Sequence, residues 1–308
     1  MTESVGPAPT IADSADSHAH PAFGLTDVLL FMMAMIWGVN FVVVKYATRI
    51  FNPVAFTGLR VGTAAVFLLA VAFARGKFNL ARRDVIGLLL LGVLGNGLYQ
   101  LFFVHGVART RAGNAALIVG AAPAFIALAA RLRGLERIKR MTAIGIALSV
   151  LGVGLVIVGS ARLHTGETTL LGSVLVFFGV LCWTGFTVLL QPYTKRIRVD
   201  KLSALTMVGG GVPLLIASGP ALVATDWSKV GYGGWLALLY SSVISMGVAY
   251  YFWYRGLRVL GPTRTAVYSN LQPIIALLVA WAILAENPTL FQGVGAATII
   301  AGVFLTRA

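Results

Sequence analysis

Residues 113–136 read GNAALIVGAAPAFIALAARLRGLE, and residues 263–286 read TRTAVYSNLQPIIALLVAWAILAE. At an offset of 150 positions Ala116 meets Ala266, Pro123 meets Pro273, Leu128 meets Leu278 and Glu136 meets Glu286. The register extends in both directions. Gly97 falls on Gly247, Phe102 on Phe252, Gly106 on Gly256, Gly145 on Gly295 and Gly152 on Gly302. Near the start of each half the offset is 146, and Trp37 matches Trp183. An apolar chain produces chance matches of Leu, Ala and Val. Pro, Glu, Gly and Phe held in one register over 55 residues point to an internal repeat.

The repeat is built of long apolar runs. Crossing about 30 Å of hydrocarbon takes about 20 apolar residues in a helix. Ten runs qualify, over roughly 26–46, 53–74, 85–104, 112–132, 141–160, 169–190, 202–222, 234–254, 263–284 and 289–306. They are too long and too uniformly apolar for the alternating strands of a membrane barrel. Composition agrees: 58% of the 308 residues are hydrophobic and 11% are charged, against about 25% charged in a soluble domain. So few charges cannot solvate a soluble protein's surface, whereas lipid covers an apolar one. The predicted fold class is an all-α integral membrane protein of ten transmembrane helices, arranged as two inverted five-helix repeats. Five is odd, so the second half enters the membrane from the opposite side, as in many secondary transporters. The expected organisation is a disordered cytoplasmic tail over 1–25, a first repeat over 26–160 and a second over 161–308.

A formal net charge of +14 on a soluble protein would suggest nucleic acid. Here the basic residues sit in the gaps between runs. With the N-terminus in the cytoplasm, 17 Lys and Arg fall in inside segments and 6 in outside ones. The positive-inside rule then places both termini in the cytoplasm. No nucleic-acid partner is expected. The first 24 residues lack the basic start and apolar core of a signal peptide, and the tail residues His18 and His20 are read as solvated. The lone Cys182 excludes an intramolecular disulfide.

Polar residues inside apolar runs carry the functional information, since each costs free energy unless it is partnered or faces water. Asn40, Asn96, Gln100, Asn114, Asn270 and Gln272 are such residues. Their amides suit the ammonium and carboxylate of a zwitterion, and equally suit hydrogen bonds between helices. Trp37, Tyr99, Trp183, Tyr250 and Tyr268, with Tyr251 and Trp253, are candidates for a wall against flat apolar side chains. Trp227, Trp235 and Trp281 read as interfacial belt residues. Pro123 and Pro273 interrupt equivalent helices and are the candidate hinges; Pro213 breaks the seventh run without a partner in the second. Gly145, Gly152, Gly159, Gly295 and Gly302 recur at sevens, which predicts a face of close helix packing, and Gly58-x-x-x-Gly62 is expected to pack within the chain.

None of the ten acidic residues lies in the middle of a run, so a proton relay through a buried carboxylate is not expected. Only His105 offers a substitute. Lys45 is expected to snorkel toward the outer surface, and the deeper Arg60 to pair with helix carbonyls. No zinc-binding His-Glu-x-x-His, no Gly-x-Ser-x-Gly elbow and no ATP-binding loop is present. Neither a catalytic site, a cofactor nor a metal is predicted.

Trp37-Gly38-Val39-Asn40-Phe41 with Lys45, and Pro53 followed by Arg60, resemble the first two helices of the drug/metabolite transporter superfamily. Gly113 to Pro123, and Ala266 to Pro273 followed by Glu286, resemble the fourth and ninth helices of its ten-helix EamA branch. The resemblance covers the chain after residue 25. It departs at Trp183-Thr184-Gly185-Phe186, which lacks the Asn of the first half. Within the branch the chain is most similar to bacterial inner-membrane exporters of aromatic and other neutral amino acids. The implied function is export or facilitated movement of such solutes by alternating access, by a monomer whose partners are a small-molecule substrate and the bilayer. The expected substrate-binding residues are Trp37, Asn40, Tyr99, Gln100, Trp183, Tyr250, Tyr268 and Gln272. Another metabolite (a cysteine precursor, a nucleoside or a drug-like solute) is the alternative, and a membrane-embedded enzyme or a receptor are remoter ones.

Overall fold

The computed structural model describes residues 24–134, 140–162 and 170–305. The N-terminal tail, Glu136 and Glu167 lie outside the described residues. Among the described residues ten helical spans follow one another: α1 (Leu25–Ala47), α2 (Pro53–Ala74), α3 (Arg82–Arg109), α4 (Ala112–Leu132), α5 (Arg140–Arg162), α6 (Leu170–Arg196), α7 (Val199–Val223), α8 (Tyr232–Val259), α9 (Pro262–Leu284) and α10 (Leu290–Leu305). Eight have both the length and the apolarity to cross a membrane; α5 and α10 contain shorter apolar cores, Ala143–Val158 and Leu290–Gly302. This is a multi-pass integral membrane protein. We call the membrane face at which α1 begins the near face, and the opposite one the far face.

The helix ends follow local chemistry. Asn52 accepts from the Val54 amide, and Pro53 opens α2 where its missing N–H costs nothing. Between α8 and α9 the chain turns at Gly261, whose φ of 80° lies in the left-handed region that suits glycine.

In lipid, helices gain little from hiding apolar surface against each other, so close contact decides which pairs form. The glycine face does this at the α5–α10 seam. A methyl group on Gly152 would lie 2.9 Å from the Gly295 carbonyl oxygen, and one on Gly302 would lie 2.6 Å from that of Gly145. A second inter-half seam joins α2 to α7, where a methyl group on Gly58 would meet Ser218 Oγ at 2.0 Å. Gly62 faces Leu215 of the same helix. The Gly58/Gly62 pair therefore serves packing within the chain.

Both candidate hinge prolines stand just past interruptions. The α-helical part of α4 stops at Gly120, turns at Ala121 and restarts at Ala122, with Pro123 second in the new segment. In α9 a 3-10 turn over Tyr268–Asn270 precedes a segment starting at Leu271, with Pro273 third. The two interruptions cross: a methyl group on Gly120 would lie 2.6 Å from Pro273 Cγ. Pro213 does not break its span, since α7 runs on through both Pro213 and Pro220. Two further irregularities were not visible in the sequence. α3 widens into a π-helix over Val93–Leu98, and α8 does so over Tyr240–Val248. They occupy matching positions in the repeat and precede Tyr99 and Tyr250.

Candidate functional site

Where the halves meet near mid-membrane, α1, α2, α3, α4, α6, α8 and α9 surround a cavity. Seven of the eight expected residues line it: Trp37, Asn40, Tyr99, Gln100, Trp183, Tyr250 and Gln272. The eighth, Tyr268, is placed elsewhere. Its hydroxyl donates to Asp27 Oδ1 in the first turn of α1, and its ring lines a groove between α9 and α10. The broken helix turns it off the cavity, although Ser269 and Gln272 beside it remain on the lining.

The rings form one cluster. Trp37 and Trp183 meet edge to face with centroids 5.7 Å apart. Tyr250 lies 5.4 Å from Trp37 and 5.6 Å from Trp183, and Tyr99 lies 5.1 Å from Trp183. Trp253 backs both tryptophans from a fully buried position. Edge-to-face and tilted pairs of this kind contribute about 0.5–1.5 kcal/mol each beyond burial. Trp37 and Trp183 are repeat equivalents in direct contact, so the axis relating the halves passes between them. The widened turns contribute too: the Trp37 indole N–H donates to the Ser245 carbonyl of the second π-helix at 3.0 Å.

Arg60 is the residue whose role the sequence understated. It lines this cavity and is 1% exposed. It does not pair with helix carbonyls. Its Nη2 donates to Gln100 Oε1 at 3.2 Å, and its Nε contacts the Met246 sulfur at 3.4 Å. Gln100 Nε2 in turn donates to the Tyr250 hydroxyl at 2.8 Å, which leaves that hydroxyl's own hydrogen for another acceptor. Nη1 of Arg60 is buried and, among the described residues, has no partner. Among the described residues no Asp or Glu lines the cavity. A buried guanidinium held only by neutral groups is expensive, and its free N–H points to an anionic partner. The first-helix offset of 146 puts Thr206 where the first half has Arg60, and Thr206 is instead hydrogen-bonded to Tyr254 at 3.1 Å. A lone Arg in an apolar run seven residues after a helix-opening Pro was the signal available in the sequence.

The remaining polar candidates divide. Asn40 Oδ1 accepts from Ser241 at 3.0 Å while lining the cavity. Asn114 bonds Gln292 of α10 at 2.8 Å and joins helices. Asn270 lines the lipid-side grooves rather than the cavity. His105 contacts Arg109 one turn along the same helix, at 3.0 Å, away from the cavity. Lys45 does not snorkel: it is 3% exposed and its amine reaches the Ala108 carbonyl at 3.3 Å. Among the described residues no group of three or more His, Cys, Asp or Glu could hold a metal.

At the far face Glu286 ties the end of α9 to the start of α4. Glu286, just past α9, accepts from the Ala112 and Gly113 amides at 3.2 and 3.4 Å, where α4 begins. Arg111 lies 3.8 Å from Glu286 and donates to the Asn287 carbonyl at 2.6 Å. A carboxylate at a helix N-terminus is favourably placed against the helix dipole. The cavity beneath holds about 30 Å³ of open space, room for about one or two waters. An organic solute enters only if the rings move apart.

A model of the EamA-like transporter family matches the chain twice, over residues 24–158 and 170–308, one match to each half. The chain is 28% identical over 281 residues to the uncharacterized transporter YyaM of Bacillus subtilis, covering 90% of this chain and 91% of that one. It is 27% identical over 300 residues to the uncharacterized inner membrane transporter YedA of Escherichia coli K12, covering 92% and 90%. An uncharacterized transporter of Archaeoglobus fulgidus is 28% identical over 287 residues, covering 92% and 97%. A protein solved by crystallography shares the fold with a TM-score of 0.66 at 16% identity, covering 91% of this chain and 95% of its own.

Proposed function

The chain belongs to the EamA-like transporter family, and we propose that it moves small neutral amino-acid-like solutes, aromatic ones above all, by alternating access. The observation that carries this reading is Arg60, a buried cation with a free N–H beside a cluster of aromatic rings. The solute's carboxylate takes Nη1 of Arg60 and the hydrogen of the Tyr250 hydroxyl. Its ammonium is held by the amide oxygens of Asn40 and Gln272. Its side chain slides between Trp37 and Trp183 as those rings part. Arg60 repels a cation that brings no carboxylate. A nucleoside would leave the guanidinium unpaired, so among the alternatives a carboxylate-bearing metabolite fits better.

The halves rock about the crossing of α4 and α9 at Gly120 and Pro273. Parting α4 from α9 at the far face requires release of the contacts of Glu286. On the positive-inside bias the near face is cytoplasmic, with both termini there, and the membrane is the bacterial inner one. One chain surrounds the cavity, which suits a monomer working without cofactor or catalytic step.

Flux of labelled phenylalanine into liposomes holding only this protein tests the reading, with and without an imposed pH gradient. Saturable flux indifferent to the gradient is expected, because no carboxylate or histidine lines the cavity among the described residues. Absence of flux for every neutral amino acid tried would overturn it.

A further inference from the structure

A second cavity, of about 240 Å³, opens at the near face between the end of α2, the start of α7 and the end of α8. Arg75, Arg198, Arg255 and Arg258 line it, with Tyr251 and one carboxylate, Asp200. The charges do not cancel. Arg198 grips Asp200 through two bonds of 3.1 and 3.2 Å, and that pair is self-contained. Arg75 is positioned by neutral groups: it donates to the Tyr251 hydroxyl at 3.3 Å and stacks over that ring at 5.6 Å. Arg255 Nε is buried without a partner among the described residues, and Arg258 is exposed at the rim. Among the described residues, three guanidinium groups therefore line a space with no carboxylate left to neutralise them.

We propose that this cavity binds a phosphate group, presented by the headgroup of an anionic phospholipid or as free phosphate. Forked guanidinium groups match phosphate oxygens in pairs, and basic pockets between transmembrane helices are suited to lipid headgroups. The volume admits a phosphate with its ester substituents. The surroundings suit the lipid: Val259 on the lining is 57% exposed, and Phe73, two residues before Arg75, is 64% exposed. Acyl chains would run down that apolar flank. The site adjoins the central cavity through α8, since Tyr251 lines one and its neighbour Tyr250 lines the other.

The test is native mass spectrometry of the purified full chain with phosphatidylglycerol, with phosphatidylcholine, and with phosphatidylglycerol plus millimolar inorganic phosphate. Phosphatidylglycerol retained in preference to phosphatidylcholine, and not displaced by phosphate, supports the site with lipid as its source. Displacement by phosphate, with matching thermal stabilisation by phosphate alone, supports the site with free phosphate as its source. Each lost guanidinium should weaken binding about fivefold, so Arg255→Gln with Arg258→Gln should weaken it about 25-fold. The exposed Arg75→Gln, should the pair fail to fold, gives the single fivefold step. Arg82→Gln with Arg83→Gln removes two exposed charges at the same face but off the cavity, and should change little. Binding unaffected by the cavity variants, or weakened equally by the control pair, would overturn the proposal.

Discussion

Spans α4 and α9 are copies of one sequence element, each interrupted a few residues before equivalent prolines, yet they live in different surroundings. In α4, 72% of the most apolar window is buried inside the protein; in α9, 28% is. Ile274, Leu278, Trp281 and Ile283 of α9 all face outward, between 48% and 68% exposed, whereas α4 is enclosed. The same inequality holds for charge. The first half puts Arg60 into the cavity, and the second puts Thr206 at the matching place, bonded to Tyr254. A repeat thus preserves the framework, meaning the break, the crossing and the glycine seams, while enclosure and chemistry diverge. On the proposed mechanism α9, less enclosed by protein than α4, would be the span that moves, and Arg60 of the first half would hold the solute.

The largest effect expected from this division is at Arg60. Arg60→Gln should lower phenylalanine flux by about 10–100-fold, the worth of a hydrogen bond to a charged group at about 1.5–3 kcal/mol. Thr206→Val, at the matching place, should leave flux within about threefold because Thr206 does not line the cavity and loses only neutral hydrogen bonds of its hydroxyl, to the Leu202 carbonyl and to Tyr254. Equal losses from both would erase the distinction between the halves. At the crossing, Gly120→Val must push against Pro273 and should destabilise the protein by about 1–3 kcal/mol. Its counterpart Asn270→Ala, on the open side of α9, should cost less than about 1 kcal/mol. Thermal unfolding in detergent compares them. Glu286→Ala removes the acceptor for two α4 amides and should cost about 0.5–2 kcal/mol, with flux shifted as the far face loosens. The smallest effect is at Tyr268. Tyr268→Phe loses its bond to Asp27 and should leave solute affinity unchanged, whereas Tyr250→Phe should weaken it about tenfold by removing a donor to the carboxylate.

How far the sequence reaches follows from which interactions are local. Span positions were legible because hydrocarbon thickness sets run length, and the observed ends differ from the runs by a few residues. The repeat in the sequence pairs Trp37 with Trp183 and Pro123 with Pro273. Apolar periodicity could not reveal the π-turns before Tyr99 and Tyr250, because one extra residue in a turn leaves an apolar run apolar. The rotation at the α9 break, which sends Tyr268 to Asp27 and Gln272 to the cavity, is set by packing against α1 and α4. Arg60 was visible as a buried charge. Its partner was not, because Gln100 lies on another helix, 40 residues away.

The most direct test of the central claim is a competition series on the purified protein in liposomes. Phenylalanine, phenylalanine amide, phenethylamine and 3-phenylpropionate would each be measured against labelled phenylalanine, for the wild type and for Arg60→Gln. If Arg60 holds the solute's carboxylate, the two compounds lacking it should compete about 10–100-fold less well in the wild type, and that gap should close in Arg60→Gln. Phenethylamine competing as strongly as phenylalanine against the wild type would contradict the account.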